Sequence, residues 1–300
     1  MPQRFPSVAL IGATGNIGAP ILQALQQAQP PFESITILTR AAPSNPSAYP
    51  PNVHVKVVDY ASKDSLIAAL TGVDALVSTI AAGSVAVQKT TIDAAVAAGV
   101  KFFVPSDFGV ASTDARLNRD FANWASKVEI QEYLAGQPID YALIFTGLFL
   151  DWGMHGFLLN LKNKTVELWD DGEAVLSLTT VGSIGRAVVA VLEGKADGKT
   201  EVRVKDINLS QRHLFELAQE AVGSDGWTVT KLDTEAAYAL SKENVKNGQR
   251  DASYAFLKRA IVGGYGSLWR AEEDDSERLG LMEWTEKDVV ELVKKLVEEE

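Results

Sequence analysis

The sequence contains no cysteine. That removes disulfides, thiolate metal sites and cysteine nucleophiles, and it suits a reducing compartment. Histidine is scarce. His54, His155 and His213 are too scattered to make a ligand set for zinc or iron, so no metal is expected. His54 falls in a strand and His213 on a helix, where both read as structural. No apolar run reaches the roughly 18–20 residues that a membrane span requires. The opening stretch MPQRFPSVALIGATG carries no basic segment followed by an apolar one and a cleavage site. A soluble, cytoplasmic protein with no membrane partner is therefore expected. Positive charge is in deficit. The net charge of −11 would repel a phosphate backbone, so no nucleic-acid partner is expected either. Part of the acidity is local, at residues 298–300 and 272–275, which read as solvated faces. Internal repeats and low-complexity tracts are absent as well.

What is there is an ordinary globular composition, 46% hydrophobic and 22% charged over 300 residues, enough for one large domain with a smaller appendage. From residue 7 to about 147, short apolar runs alternate with helical patterns. Runs at 8–11, 34–39 (SITILT), 53–58 (VHVKVV), 74–80 (DALVSTI), 102–104 and 141–145 read as six strands. The stretches 21–28, 66–70, 85–98 and 116–134 read as helices, the last a single long one, and Gly99 sits where a helix would end. Such alternation, with strands apolar almost throughout, indicates a parallel sheet covered by helices on both faces. Beyond Gly147 the strands shorten and alternate (TVELW, AVLSLTTV, EVRVKDINLS), and helices at 184–192, 214–221 and 288–297 are spaced irregularly. This part reads as a smaller α+β region beside the carboxyl ends of the sheet. Its strand near 177–181 is positioned to rejoin the main sheet. Residues 41–51 carry four prolines and read as a surface loop.

The segment Gly12-Ala13-Thr14-Gly15-Asn16-Ile17-Gly18 follows the first strand and opens the first helix. In that context Gly12 makes a tight turn, Gly15 admits a pyrophosphate close to the backbone, and Gly18 lets the helix pack against the strand. The helix N-terminus then offers free N–H groups to negative charge. The fold class is thus α/β, a Rossmann-type doubly wound parallel sheet. A dinucleotide-binding domain over 1–150 precedes a substrate-binding region over 151–300. The second strand ends without the acid that would hold the ribose hydroxyl of NAD. It ends in Arg40, 22 residues past Gly18, whose planar fork suits a 2′-phosphate. NADP(H) is favoured over NAD. Asp59, ending the third strand, would lie nearer the adenine. Thr79, Ile80 and Ala81, ending the fourth, leave room for the nicotinamide ribose.

Together the GATGNIG loop, the ILTR strand end, the stretch VDYASKDSLIAALTGVDALVSTI and the block FFVPSDFGV resemble the NmrA-like, isoflavone reductase-like branch of the atypical short-chain dehydrogenases. The resemblance covers residues 7–150 well and continues more weakly through TTVGSIGRAVVAVLEG and DINLSQRHLFELAQEAVG. The family more often has PSEFG where this chain has PSDFG. Plant members reduce phenylpropanoids with NADPH. The resemblance makes Lys127, in NWASKVEIQEYL, the acid/base residue, and it also borders the cofactor. The tyrosine of ordinary short-chain dehydrogenases, four residues earlier, is replaced by Asn123. It further implies that Phe108 and Gly109 border the nicotinamide. Thr146, Gly147 and Phe149 would floor the pocket of cofactor and substrate, and Phe149, Trp152, Met154, His155 and Phe157 would line an apolar substrate pocket.

These expectations describe a reductase. It would move a hydride from NADPH to an enone, quinone methide, quinone or imine, with Lys127 protonating the accepting atom. Two alternatives stay open on sequence grounds. One is the dinucleotide-sensing regulator found among NmrA-like proteins, which acts through a protein partner without turnover. The other is an epimerase or dehydratase, disfavoured by the missing tyrosine.

Overall fold

The computed structural model describes residues 4–42, 49–80, 84–121, 124–248 and 254–299. Residues 43–48 of the proline-rich stretch, Ala81 and Asn123 lie outside them.

The first half builds the sheet. The strands β1 (Ser7–Ile11), β2 (Ser34–Thr39), β3 (Val53–Val57), β4 (Ala75–Ser78), β5 (Phe102–Val104) and β6 (Asp140–Tyr141) lie side by side in the order β3-β2-β1-β4-β5-β6, every pair parallel. Between them run α1 (Gly18–Gln27), α2 (Lys63–Leu70), α3 (Val85–Ala97), α4 (Ala115–Asp120) and α5 (Ala125–Ala135). This is the doubly wound order whose direction reverses between β1 and β4, leaving a crevice at their carboxyl ends. The reason is plain in β1 and β4: Val8, Leu10, Ala75 and Val77 face one buried cluster, and Ala9, Ile11 and Leu76 face the other. Strands apolar on both faces need cover on both.

The second half contains β7 (Leu143–Phe145), β8 (Leu148–Phe149), α6 (Leu150–Gly153), β9 (Thr165–Trp169), β10 (Val175–Thr179), α7 (Val181–Leu192), β11 (Glu201–Arg203), β12 (Ile207–Ser210), α8 (Gln211–Val222), β13 (Thr228–Leu232), α9 (Thr234–Lys246), α10 (Ala255–Val262) and α11 (Glu286–Glu299). Caps set several of these starts. Thr180 accepts a hydrogen bond from the Ser183 N–H at α7, Ser210 from His213 at α8 and Asp233 from Ala236 at α9. None of the described helices is long and apolar enough to cross a membrane.

Three expectations need correction. The sixth strand is broken at Ala142: β6 stays beside β5, while β7 leaves the sheet and pairs with β11. The strand near 177–181 does not rejoin the main sheet; β10 lies between β8 and β12 in a sheet of its own, and the chain is already helical at Val181. The long helix over 116–134 is two helices. At Phe121 the backbone is extended (φ −137°, ψ 102°), and the ring is buried among Trp124, Tyr238 and Tyr265. Tyr238 and Tyr265 come from distant sequence, so local periodicity carries no trace of them.

The later half also completes the first. Helix α7 packs on α1 so closely that a Cβ on Gly185 would stand 2.7 Å from the Pro20 carbonyl oxygen. A second core joins Val110, Leu117, Phe121 and Trp124 to apolar residues of β8–β10, α8, α10 and α11.

Candidate active site

At the carboxyl end of β1 the chain turns through Gly12, whose φ of +82° favours glycine. A Cβ there would lie 2.3 Å from Thr79 Oγ1, and one on Gly18 would lie 2.0 Å from the Gly12 carbonyl oxygen. Both glycines are therefore demanded by the fold itself. Gly15 differs. A Cβ on it would meet only the Gly12 oxygen, at 3.3 Å, so its methyl would project into the crevice. Thr14, Gly15 and Asn16 are exposed, and the start of α1 has neither a side-chain cap nor an acid in its first turn. Uncapped N–H groups behind an open glycine loop make a cradle for an anion.

Across the crevice, Thr79 donates its hydroxyl to the Ile11 carbonyl at 2.8 Å, which ties the end of β4 to β1. After β5, Gly109 accepts both the Thr146 and the Gly147 N–H, at 2.9 and 3.0 Å. This pair of bonds sets the Phe108 loop against the segment after β7. Gly147, at φ +60°, passes so close to Ser177 that a Cβ would come within 2.0 Å of its carbonyl oxygen. Asp151 holds the next segment: its half-buried carboxylate accepts the Trp152 N–H at 2.9 Å and the Val181 N–H at 3.1 Å, pinning α6 to α7. Burial raises the Asp151 pKa above the usual carboxylate range, and the hydrogen bonds from Trp152 and Val181 oppose it.

These contacts leave two adjoining cavities. One, of about 290 Å³, is lined by Gly15, Asn16, Ile17, Thr79, Ile80, Ser106, Phe108, Lys127, Phe149 and Trp152. The other, of about 260 Å³, is lined largely by aromatic rings. Trp152, Phe157 and Tyr254 succeed one another along one wall, and Trp124 and Phe256 meet edge to face on another. Phe108, Lys127, Phe149 and Trp152 belong to both cavities. Lys127 thus stands where they meet. Its ammonium lies 3.1 Å from Asp107 Oδ1 and 3.4 Å from the Phe108 carbonyl oxygen. An ammonium so placed presents N–H donors at the edge of an apolar chamber.

Most sequence-derived candidates therefore converge. Arg40 sits apart but in register, exposed just past β2, near Tyr60. Burial pushes the Tyr60 phenol up to about 12, with the Arg40 charge pulling the other way. Asp59 is exposed and accepts the Ala61 N–H in a turn before α2. Three candidates are placed elsewhere. Met154 is fully buried in the second core, because the short turn of α6 points it inward. His155 is exposed and bridges to Asn160. Thr146 is buried, and its carbonyl accepts the Thr179 hydroxyl.

Sequence reasoning passed over Asp107, Trp124, Tyr254 and Phe256. Asp107 had a signal, an acid directly past a strand end within a recognised block. Trp124 lies three residues before Lys127 and so shares its helical face. Tyr254 and Phe256 carried none, being brought in from about 100 residues away by the later half of the fold.

The model of the NmrA-like family matches residues 6–223, and the chain belongs to that family. It is an oxidoreductase of that family by its relatives. It is 30% identical over 268 residues to the oxidoreductase aprR of Aspergillus flavus, covering 86% of this chain and 88% of the relative. Solved structures share the fold. The NADPH-dependent quinone oxidoreductase QOR2 of Escherichia coli, complexed with NADPH, superposes with a TM-score of 0.72 at 22% identity, covering 97% of this chain and 99% of the other. The ternary complex of leucoanthocyanidin reductase from Vitis vinifera gives 0.76 at 17% identity, with 97% and 99% covered.

Proposed function

We propose that this protein is an NADPH-dependent reductase of a small aromatic or conjugated substrate such as an enone, quinone methide, quinone or imine. The observation that carries this reading is the shared wall: Lys127, Phe108, Phe149 and Trp152 border both the cavity beside the glycine loop and the aromatic chamber behind it. NADPH, when bound, supplies a hydride from its nicotinamide. The chain's own residues do the rest. The glycine loop and the start of α1 hold the pyrophosphate, and Arg40 holds the 2′-phosphate. Phe108 and Phe149 fix the ring at the junction. The aromatic walls exclude water and orient a flat substrate, and the Lys127 ammonium gives a proton to the accepting oxygen or nitrogen. Residues 1–150 then supply most of the cofactor groove, and the later region supplies Trp152, Phe157, Tyr254 and Phe256 to the substrate chamber. A structural neighbour complexed with NADPH supports reading the groove as a cofactor site.

The test is a titration of NADPH and NADH by tryptophan fluorescence, then oxidation of NADPH at 340 nm against a panel of quinones, enones and phenylpropanoids. NADPH-selective binding with turnover of any panel member upholds the reading. Tight binding without turnover overturns it in favour of a dinucleotide-sensing regulator.

Two substitutions examine its parts. Arg40→Ala removes charge-assisted hydrogen bonds and is expected to weaken NADPH binding about 10- to 100-fold while changing NADH binding by no more than about twofold. Equal losses would remove Arg40 from the phosphate site. Phe256 borders only the aromatic chamber, where its ring meets Trp124 at 5.2 Å. Phe256→Ala is expected to raise KM for an aromatic substrate about tenfold and leave the NADPH Kd unchanged.

A further inference from the structure

Lys127 is held from behind by a carboxylate that lines neither of the two cavities described above. Asp107 lies just past β5 with its side chain 4% exposed. Ser112 donates its hydroxyl to Asp107 Oδ1 at 2.8 Å, and Gln131 Nε2 donates to Oδ2. The same Gln131 amide reaches Ser112 Oγ at 2.7 Å, closing the ring of contacts. Gln131 follows Lys127 by four residues on α5, so both project from one face of the helix toward the carboxylate. A buried carboxylate is costly unless its oxygens are fully bonded and its charge is matched, and here the matching charge is Lys127.

We propose that Asp107 is the positioning residue for Lys127. It fixes the ammonium at the junction of the two cavities and neither gives nor takes a proton itself. The inference rests on the reductase reading above. A lysine side chain has four flexible bonds, and the broad faces of aromatic rings do not by themselves fix the direction of its N–H groups. Asp107 and the Phe108 carbonyl take two of the three ammonium N–H groups and leave one for the group in the cavity. Ser112 and Gln131 hold the carboxylate in turn, so the orientation passes from two neutral side chains through a buried charge to the reacting proton. Displacing a proton donor by about 1 Å can cost on the order of a hundredfold in rate.

The experiment compares the full-length wild type with Asp107→Asn and Asp107→Glu. It measures thermal midpoint, NADPH Kd, kcat and KM on a panel substrate, and the rate at which Lys127 is reductively methylated by formaldehyde and borohydride, followed on its peptide by mass spectrometry. In Asp107→Asn an amide N–H confronts the Lys127 and Gln131 donors. That variant is expected to lose about 10- to 100-fold in kcat with KM and NADPH Kd within about threefold, and to methylate at Lys127 about tenfold faster. Asp107→Glu restores the charge and is expected to recover most of both. Wild-type kcat in Asp107→Asn overturns the proposal, as does Asp107→Glu failing equally with a matching fall in midpoint. Should the wild type turn over no panel substrate, the reductase reading falls. The methylation arm still decides the positioning: an unchanged rate in Asp107→Asn overturns it. Should Asp107→Asn not fold, Gln131→Leu leaves both charges in place and is expected to show the same pattern at about threefold.

Discussion

Lys127→Ala is expected to lower kcat by roughly 100- to 10,000-fold, the range that a positioned acid or base contributes, while leaving the NADPH Kd within a few-fold. The split follows from where the side chain stands. Its ammonium borders both cavities, whereas on the proposed reading the glycine loop, the start of α1 and Arg40 would hold the phosphates of the cofactor. Removing Lys127 also strands the buried Asp107 carboxylate, whose charge then lacks its partner. A modest fall in thermal midpoint should therefore accompany the loss of rate. Lys127→Met keeps the length of the stem without the charge and should match Lys127→Ala in rate. Steady-state kinetics on a turned-over substrate, with fluorescence titration of NADPH, measures both quantities. A parallel collapse of binding and rate would show that Lys127 holds the cofactor rather than the reacting proton.

Gly18→Ala should damage fold and site together, and Gly15→Ala is its counterpart with the opposite signature. The Gly18 Cβ would lie 2.0 Å from the Gly12 carbonyl oxygen and 2.7 Å from its carbon, so main chain must move. Overpacking of that kind costs about 1–3 kcal/mol or more, which for a chain of this size lowers the midpoint by several degrees. Because the displaced backbone is the dinucleotide loop itself, NADPH binding should disappear with it. Gly15→Ala meets only one atom within 4 Å, at 3.3 Å, and its midpoint should hold. The methyl nevertheless stands where a pyrophosphate would approach, so NADPH Kd should rise about tenfold or more. Calorimetry and titration on the two variants separate fold from site. A Gly15→Ala protein that binds NADPH normally would move the phosphate away from this loop.

The contrast between those glycines marks how far a sequence can be read. Gly12, Gly15 and Gly18 announce a strand-turn-helix unit by spacing alone, and the fold requires two of them as expected. Lys127 was visible because it lies on a recognisable block, and Arg40 because a strand end at a set distance from the glycines is a set place in this architecture. The family resemblance carries Met154 and His155 into the pocket together with Trp152, but a resemblance of segments does not settle where each side chain points. In the turn of α6, successive residues point in different directions, and one lies in the core while the other faces solvent.

By itself the sequence determined the parallel sheet, its glycine loop and the strand-end residues beside it, because each depends on short-range facts: apolar runs, glycine spacing, a residue at a strand end; Phe108, Lys127 and Phe149 came from the family resemblance. Only the tertiary structure decided that α4 and α5 part at Phe121, that β7 abandons the sheet for β11, and that Tyr254 and Phe256 close the aromatic chamber. It also brought Asp107, Ser112 and Gln131 together behind Lys127. These outcomes turn on packing and charge pairing between segments far apart along the chain. Those interactions acquire their energy only once the intervening loops have closed, and local pattern does not encode them.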